Sequence, residues 1–473
     1  MAQGHTVRAM SLRRAGCAAM LAAAVLALAG CGPATVRPAE PEAQARQAPP
    51  GSAPRWPDRA SYALDLAYDA RRFALAGRQR ITFRNASTTA LPAVWLRAWA
   101  NAFGGCRAQR ARVAVVAGGR LAARQRDCTA LRVVLARPLA PGESTSIALR
   151  IRITTPPRPD RFGRFHGAAY FGNAIPVLAV ADSRGWQLPP YTFSGESFYS
   201  LTSAWRVRLR MPRGLRVAST GTQAGAARGG VVTLTAPRAR DFMVVVGRFD
   251  VRTAQAGGLR LRRFSTPGTS ATVARKALSL AAYSMARYEG WYGPYGRPEI
   301  DLVEGPREVA RGGLAMEYPE LVLTPASATA IAHELAHQWF YGIVGDDQWS
   351  EPWLDESFAE FSAARLPPGR VPNRLRGCHL PDGGRVPLDS SMATMTRGGG
   401  GRYVRTVYLG GACLLRALQG TIGAGRFDDL MRRLVAAHRD GVITTPDVVG
   451  AMQGAAPDRA AVDRLLRRAG LLR

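Results

Sequence analysis

The sequence predicts an α+β multidomain chain, with a β-rich N-terminal half followed by an α/β half built round a metal-binding helix. Three observations carry that prediction. Before about residue 258, apolar and polar side chains alternate: Ile147, Leu149, Ile151 and Ile153 are interleaved with Ala148, Arg150 and Arg152, and Trp205, Val207, Leu209 and Met211 repeat the pattern. A period of two buries one face of a strand. After that point a helical stretch from about Ala271 to Tyr292 leads to a strand around Ile300–Val303. The third observation is His333-Glu334-Leu335-Ala336-His337, with Glu356 downstream.

Residues 1–30 read as a secretory signal: Arg8, Arg13 and Arg14 precede an apolar run rich in Ala and Leu, which closes on Leu28-Ala29-Gly30-Cys31. That tetrapeptide resembles a bacterial lipobox, in which the cysteine is lipidated and becomes the mature N-terminus. Cys31 is therefore the expected membrane anchor, and the expected location is extracytoplasmic, as a membrane-anchored bacterial lipoprotein. Residues 31–57 form a tether, since Pro33, Pro38, Pro41, Pro49, Pro50, Pro54 and Pro57 among small and polar residues cannot bury a core. The remaining chain divides into a β domain, 58–257, and an α/β domain, 258–473, that contains the His333–His337 motif.

The formal charge of +30 would ordinarily raise nucleic acid as a partner. Lys276 is the single lysine beside 63 arginines, however, and the basic residues are spread without an aromatic-interleaved cluster. A solvated basic surface is the reading, with loose attraction to an anionic membrane or cell wall as its alternative and no nucleic-acid partner. Cys106 and Cys128 are candidate disulfide partners in an oxidising compartment, and Cys378 and Cys413 either pair or stay free; spacing leaves the connectivity open.

Residues four apart lie on one helix face, so His333 and His337 can aim two imidazoles at one ion while Glu334 flanks it. With six histidines in 473 residues, this motif arises by chance roughly 0.003 times in such a chain. Thr324-Pro325 reads as the helix start and Gly342 as its stop. Glu356 is the third ligand of a His/His/Glu set that leaves one position open, the arrangement of catalytic zinc. Its own helix starts after Ser350-Glu351-Pro352, presents Trp353, Leu354, Phe358 and Phe361, and ends at Pro367-Pro368. Glu360, one turn on, reads as a surface carboxylate outside the ligand set, either orienting a ligand or solvated.

At these residues the chain resembles the gluzincin aminopeptidase family that includes aminopeptidase N. The resemblance rests on the zinc motif with its eighteen-residue gap to Glu356, on Trp353-Leu354-Asp355-Glu356-Ser357-Phe358-Ala359, and on Gly312-Gly313-Leu314-Ala315-Met316-Glu317-Tyr318-Pro319. It implies a saddle-like β domain followed by a thermolysin-like zinc metallopeptidase domain, in a short form without the family's C-terminal helical domain. Gly313, Leu314, Ala315, Met316 and Glu317 map onto the G-x-M-E-N strand that borders substrate, where the glutamate holds the free α-amine. Leu314 and Tyr318 stand where the family has glycine and asparagine, and Ser357 replaces a usual glycine. Val407-Tyr408-Leu409-Gly410-Gly411-Ala412 resembles the family's tyrosine segment and makes Tyr408 the phenol that stabilises the tetrahedral intermediate, with Tyr403 as the competing candidate.

The expected function is removal of N-terminal residues from peptides by one Zn2+ per chain, with Glu334 as general base. Asp355 and Gln338 are polar neighbours that could orient ligands. Two alternatives remain open: a zinc endopeptidase or oligopeptidase on the same site, and a surface-binding lipoprotein without turnover.

Overall fold

A computed structural model of the chain describes residues 55–305 and 315–473. Cys31, Gly313 and Leu314 lie outside the described residues. The β half is organised on a seven-stranded sheet. Its labelled strands are β1 (Asp58–Asp69), β2 (Ala74–Arg84), β3 (Ala111–Ala117), β4 (Ser144–Thr154), β5 (Ser203–Arg210) and β6 (Val231–Ala239), and the order is Thr222–Gln223, β6, β5, β1, β2, β4, β3. The expected alternation is present: Ile147, Leu149, Ile151 and Ile153 of β4 and Trp205, Val207 and Leu209 of β5 are buried, while Arg150, Arg152, Arg206 and Arg208 are exposed. The buried face shares one apolar cluster with a four-stranded sheet that contains Leu91–Arg97 and Ala130–Leu139.

The second half opens on a mixed sheet of β7 (Asp250–Ala256), β8 (Leu259–Ser265), β9 (Glu299–Val303) and β10 (Leu321–Leu323). β7 and β8 are antiparallel, and β8, β9 and β10 run parallel. Met316 adds an antiparallel bridge to Leu323, with both backbone hydrogen bonds at 2.9 Å. Successive side chains of an extended segment point to opposite faces. Met316 and Tyr318 therefore enter an apolar cluster with Tyr170, Met243 and Val245 of the β half, and Glu317 is left on the other side.

Helix α1 (Ala271–Tyr292) starts at Ser270, whose hydroxyl accepts from the Thr272 N–H, and stops at Gly293, where φ is +89°. It forms a back wall for the two helices that carry the metal motif, α2 (Ala328–Ala336) and α3 (Trp353–Ala364). Tyr288 Oη donates to the Ala332 carbonyl at 2.9 Å, and Tyr292 Oη lies 2.7 Å from Ser362 Oγ. Trp339, fully buried between Tyr288, Tyr292 and Tyr295, donates its indole N–H to the Gly293 carbonyl at 3.0 Å. Each such buried aromatic contributes about 1.5–3 kcal/mol through apolar burial, and each hydrogen bond about 1 kcal/mol.

Helix α2 departs from the expected boundaries. Its N-cap is Ser327, which accepts from the Ala330 N–H, because the Thr324 hydroxyl turns to the Pro325 carbonyl instead. It ends at His337, ahead of Gly342, as Gln338 and Trp339 tighten to hydrogen bonds with Leu335 and Ala336. Helix α3 begins after Pro352 as expected, yet Trp353 through Ala363 are all buried. Glu360 is accordingly a buried carboxylate and not the surface one that the sequence suggested. Disulfides join Cys106 to Cys128 and Cys378 to Cys413.

Candidate metal centre

His333 sits in the last turn of α2 and His337 caps it, so the four-residue spacing still brings the two imidazoles together, edge to face with ring centroids 4.8 Å apart. Their Nε2 atoms are 3.1 Å apart, and Glu356 Oε2 on α3 lies 3.0 Å from one and 3.4 Å from the other. One ligand atom from each of the three buried residues falls within 4.8 Å of the others. On the opposite ring nitrogens, His337 Nδ1 donates to the Phe340 carbonyl at 3.0 Å, and His333 Nδ1 faces Glu360 Oε2 at 3.2 Å. A proton held at Nδ1 leaves the Nε2 lone pair facing the common point. Two imidazole lone pairs and a carboxylate that converge on one buried point fit a Zn2+ ion, and the set leaves a position open.

The electrostatics agree with a cation there. Burial alone would lower both imidazoles, but hydrogen bonds to Glu356 prevail, raising His337 to about 9 and His333 well above its ordinary value. Glu356 is held below the carboxylate range, since the two histidines outweigh its burial. Glu334 is 5% exposed and its Oε2 makes no hydrogen bond. Burial pushes its carboxyl up to about 8, against the opposing pull of His333 and His337. A divalent cation replaces the protons that these groups would otherwise share.

Tyr408 stands beside the ligands. Its ring stacks on His333, with centroids 5.5 Å apart and planes 6° apart, and its hydroxyl donates to Glu356 Oε1 at 2.5 Å. Tyr403 Oη is directed instead at Glu196, 3.4 Å away. Both tyrosines come from a turn that widens to a π-helix over Val404–Gly410 before α4 (Gly411–Ile422). Ser357 braces this turn. Its Oγ donates to the Val407 carbonyl at 2.7 Å and occupies the space where a Cβ on Gly411 would stand, 1.9 Å away.

Glu317 is 4% exposed and accepts from Gln348 Nε2 at 3.0 Å; the same amide donates to Asp355 Oδ2 at 2.8 Å. Asp355 Oδ1 accepts from the Glu356 N–H at 2.7 Å, so Asp355 braces the backbone of a ligand. Gln338 does not touch the ligands. It donates to the Tyr318 carbonyl and accepts from the Glu320 N–H and Tyr295 Oη, fixing the edge that bears Glu317. Tyr318 points away, its hydroxyl 2.9 Å from Asn173 Oδ1 and packed against Gly172, which has no room for a side chain. Ala315 and Met316 lie on the same edge, Met316 with its side chain buried in the core.

Glu196 was not found from the sequence, because it comes from a β-half loop with no motif. Buried at 6% exposure, it pairs with Arg161 at 3.0 Å. Burial raises its carboxyl well above the usual range despite Arg161, and Glu317, Glu356 and Asp355 raise it further. Four carboxylates thus share one buried region that holds a single guanidinium among its strong influences, an arrangement suited to receiving positive charge.

Residues 322–371 match the model of the peptidase family M1 domain. Aminopeptidase M1-B of Oryza sativa subsp. japonica is 31% identical over 135 residues, which are 25% of this chain and 15% of that protein. Tricorn protease-interacting factor F2 of Thermoplasma acidophilum is 36% identical over 100 residues, 18% of this chain and 12% of that protein. The chain thus spans well under a fifth of the length of these curated relatives. Among solved structures, the M1 zinc metallopeptidase of Deinococcus radiodurans superposes with a TM-score of 0.62 at 21% identity, covering 88% of this chain and 93% of that one. A mutant of it bound to a Tyr-Ser-Ala substrate gives a TM-score of 0.59 at 20% identity, covering 89% and 95%. The fold is that of these two-domain proteins.

Proposed function

We propose that this chain, whose metal-binding segment is of the aminopeptidase N-like gluzincin kind, is a zinc-dependent aminopeptidase that removes residues from the free N-terminus of peptides. The observation that carries the reading is Glu317, a buried carboxylate on a strand edge beside Glu334, raising that residue's pKa through its charge. A carboxylate so placed can hold the ammonium group of a peptide's first residue and fix that residue against the metal point. Glu196, held by Arg161 in the same buried region, adds negative charge to the amine subsite.

His333, His337 and Glu356 would hold a zinc ion, which when bound would supply Lewis acidity to a water and to the scissile carbonyl. Glu334 takes the water's proton on its unpartnered Oε2 and returns it to the leaving amine. The phenol of Tyr408, beside His333 and Glu356, donates to the oxygen on which negative charge develops. Asp355 and Gln348 keep Glu356 and Glu317 in register with each other.

The test compares one peptide with its N-acetylated twin. Acetylation should abolish cleavage, and Glu317→Ala should chiefly harm the free-amine substrate, by a factor of about 10–100 for the loss of a charge-assisted contact. Equal cleavage of both peptides by the wild type would make the protein an endopeptidase, and zinc binding without hydrolysis of either peptide would leave the surface-binding reading.

The proposal extends to location: an extracytoplasmic protein held to a membrane by lipid on Cys31. Among the described residues no helix is long and apolar enough to cross a membrane. Mass spectrometry of the mature N-terminus should find an acylated Cys31, and an unacylated chain starting elsewhere would remove the anchor.

A further inference from the structure

The alternation that buries β4 and β5 on one side leaves arginines on the other. Arg78 and Arg80 of β2, Arg150 of β4, and Arg206 and Arg208 of β5 line a trough of about 540 Å³ across the outer face of the seven-stranded sheet, with Asp65 the single acidic lining residue. Asp65 pairs with Arg208 at 3.1 Å. Arg78, Arg80, Arg150 and Arg206 make no ion pair with any described residue. Arg78 stands directly opposite Arg150, and beyond it Arg152 stands opposite Arg112 of β3. Like charges opposite each other on adjacent strands disfavour the sheet, and an anionic partner removes that penalty.

The partner's chemistry follows from the layout. The charges repeat along strands, about 6.8 Å apart, and across them, about 4.8 Å per strand, so they form a two-dimensional array and not a stripe. The trough has no aromatic lining residue on which bases could stack, and Ala63 and Ala148 lie on its floor. Guanidinium forks bind phosphate bidentately. Val116, 51% exposed, lies at the same trough and offers a small apolar contact. We propose that this face docks on the phosphate headgroups of an anionic phospholipid surface, a second membrane contact that needs neither acylation nor peptide hydrolysis.

The mature chain carrying Cys31→Ser, sedimented with vesicles, tests it. Binding should appear on phosphatidylcholine vesicles that contain phosphatidylglycerol, fall with salt, and be absent from phosphatidylcholine alone. The triple variant Arg78→Glu/Arg150→Glu/Arg206→Glu should weaken partitioning about a hundredfold, with an unchanged melting temperature showing that the chain is folded. Arg426→Glu/Arg433→Glu/Arg464→Glu changes the net charge equally on exposed helical positions of the other half, and it should weaken partitioning by no more than about threefold. Equal loss in the two triple variants would show diffuse charge attraction and overturn the proposal. So would tighter retention on a single-stranded oligonucleotide or an acidic polysaccharide than on the vesicles, or no binding to the charged vesicles.

Discussion

Glu334→Gln should retain one zinc per chain and lose hydrolysis by about 10²–10⁴-fold, while His337→Ala should lose both metal and turnover. The substitution is close to isosteric at a buried position, so it opens no cavity, and it leaves the Nε2 and Oε2 atoms of the ligand set untouched. What it removes is the atom that can carry a proton between water and leaving amine. Metal analysis beside initial rates separates the two variants. Near-wild-type turnover in Glu334→Gln would end the assignment of this residue as the base.

Tyr408→Phe should lower kcat by roughly a hundredfold with little change in KM, metal content or melting temperature. Phenylalanine keeps the ring stacked on His333 and loses only the hydroxyl, whose present partner is Glu356. Tyr403→Phe is the control, because its hydroxyl faces Glu196 and not the ligands. The same loss in Tyr403→Phe with none in Tyr408→Phe would exchange the two roles.

The sequence carried what depends on local period and spacing. The alternation in β4 and β5, the length of α1, the imidazoles four residues apart and the mounting of Glu356 on a second helix are all short-range signals, and their physical causes act within one or two turns or strands. Helix α2 was displaced at both ends because its caps were decided by competition: Ser327 against Thr324 at the start, and a tightened turn against Gly342 at the stop. The contacts that Glu196, Gln338 and Ser357 make were not legible, although Gln338 was expected as a polar neighbour that could orient ligands. Their partners lie on other elements, Arg161 and Tyr403 for the first, the Tyr318–Glu320 turn for the second, the Val407 carbonyl for the third. The departures at Tyr318 and Ser357 become intelligible only in the same way, as side chains fitted against Gly172 and Gly411.

The wall formed by α1 has a thermodynamic consequence. Because Tyr288 and Tyr292 fasten α2 and α3 from behind, the ligands are preorganised by tertiary packing, and ion binding need not repay the entropy of assembling them. The free energy of coordination should then appear as affinity and not as folding: stripping the ion with a chelator should leave a folded protein with a lower melting temperature, and readdition should restore the full transition by mass action.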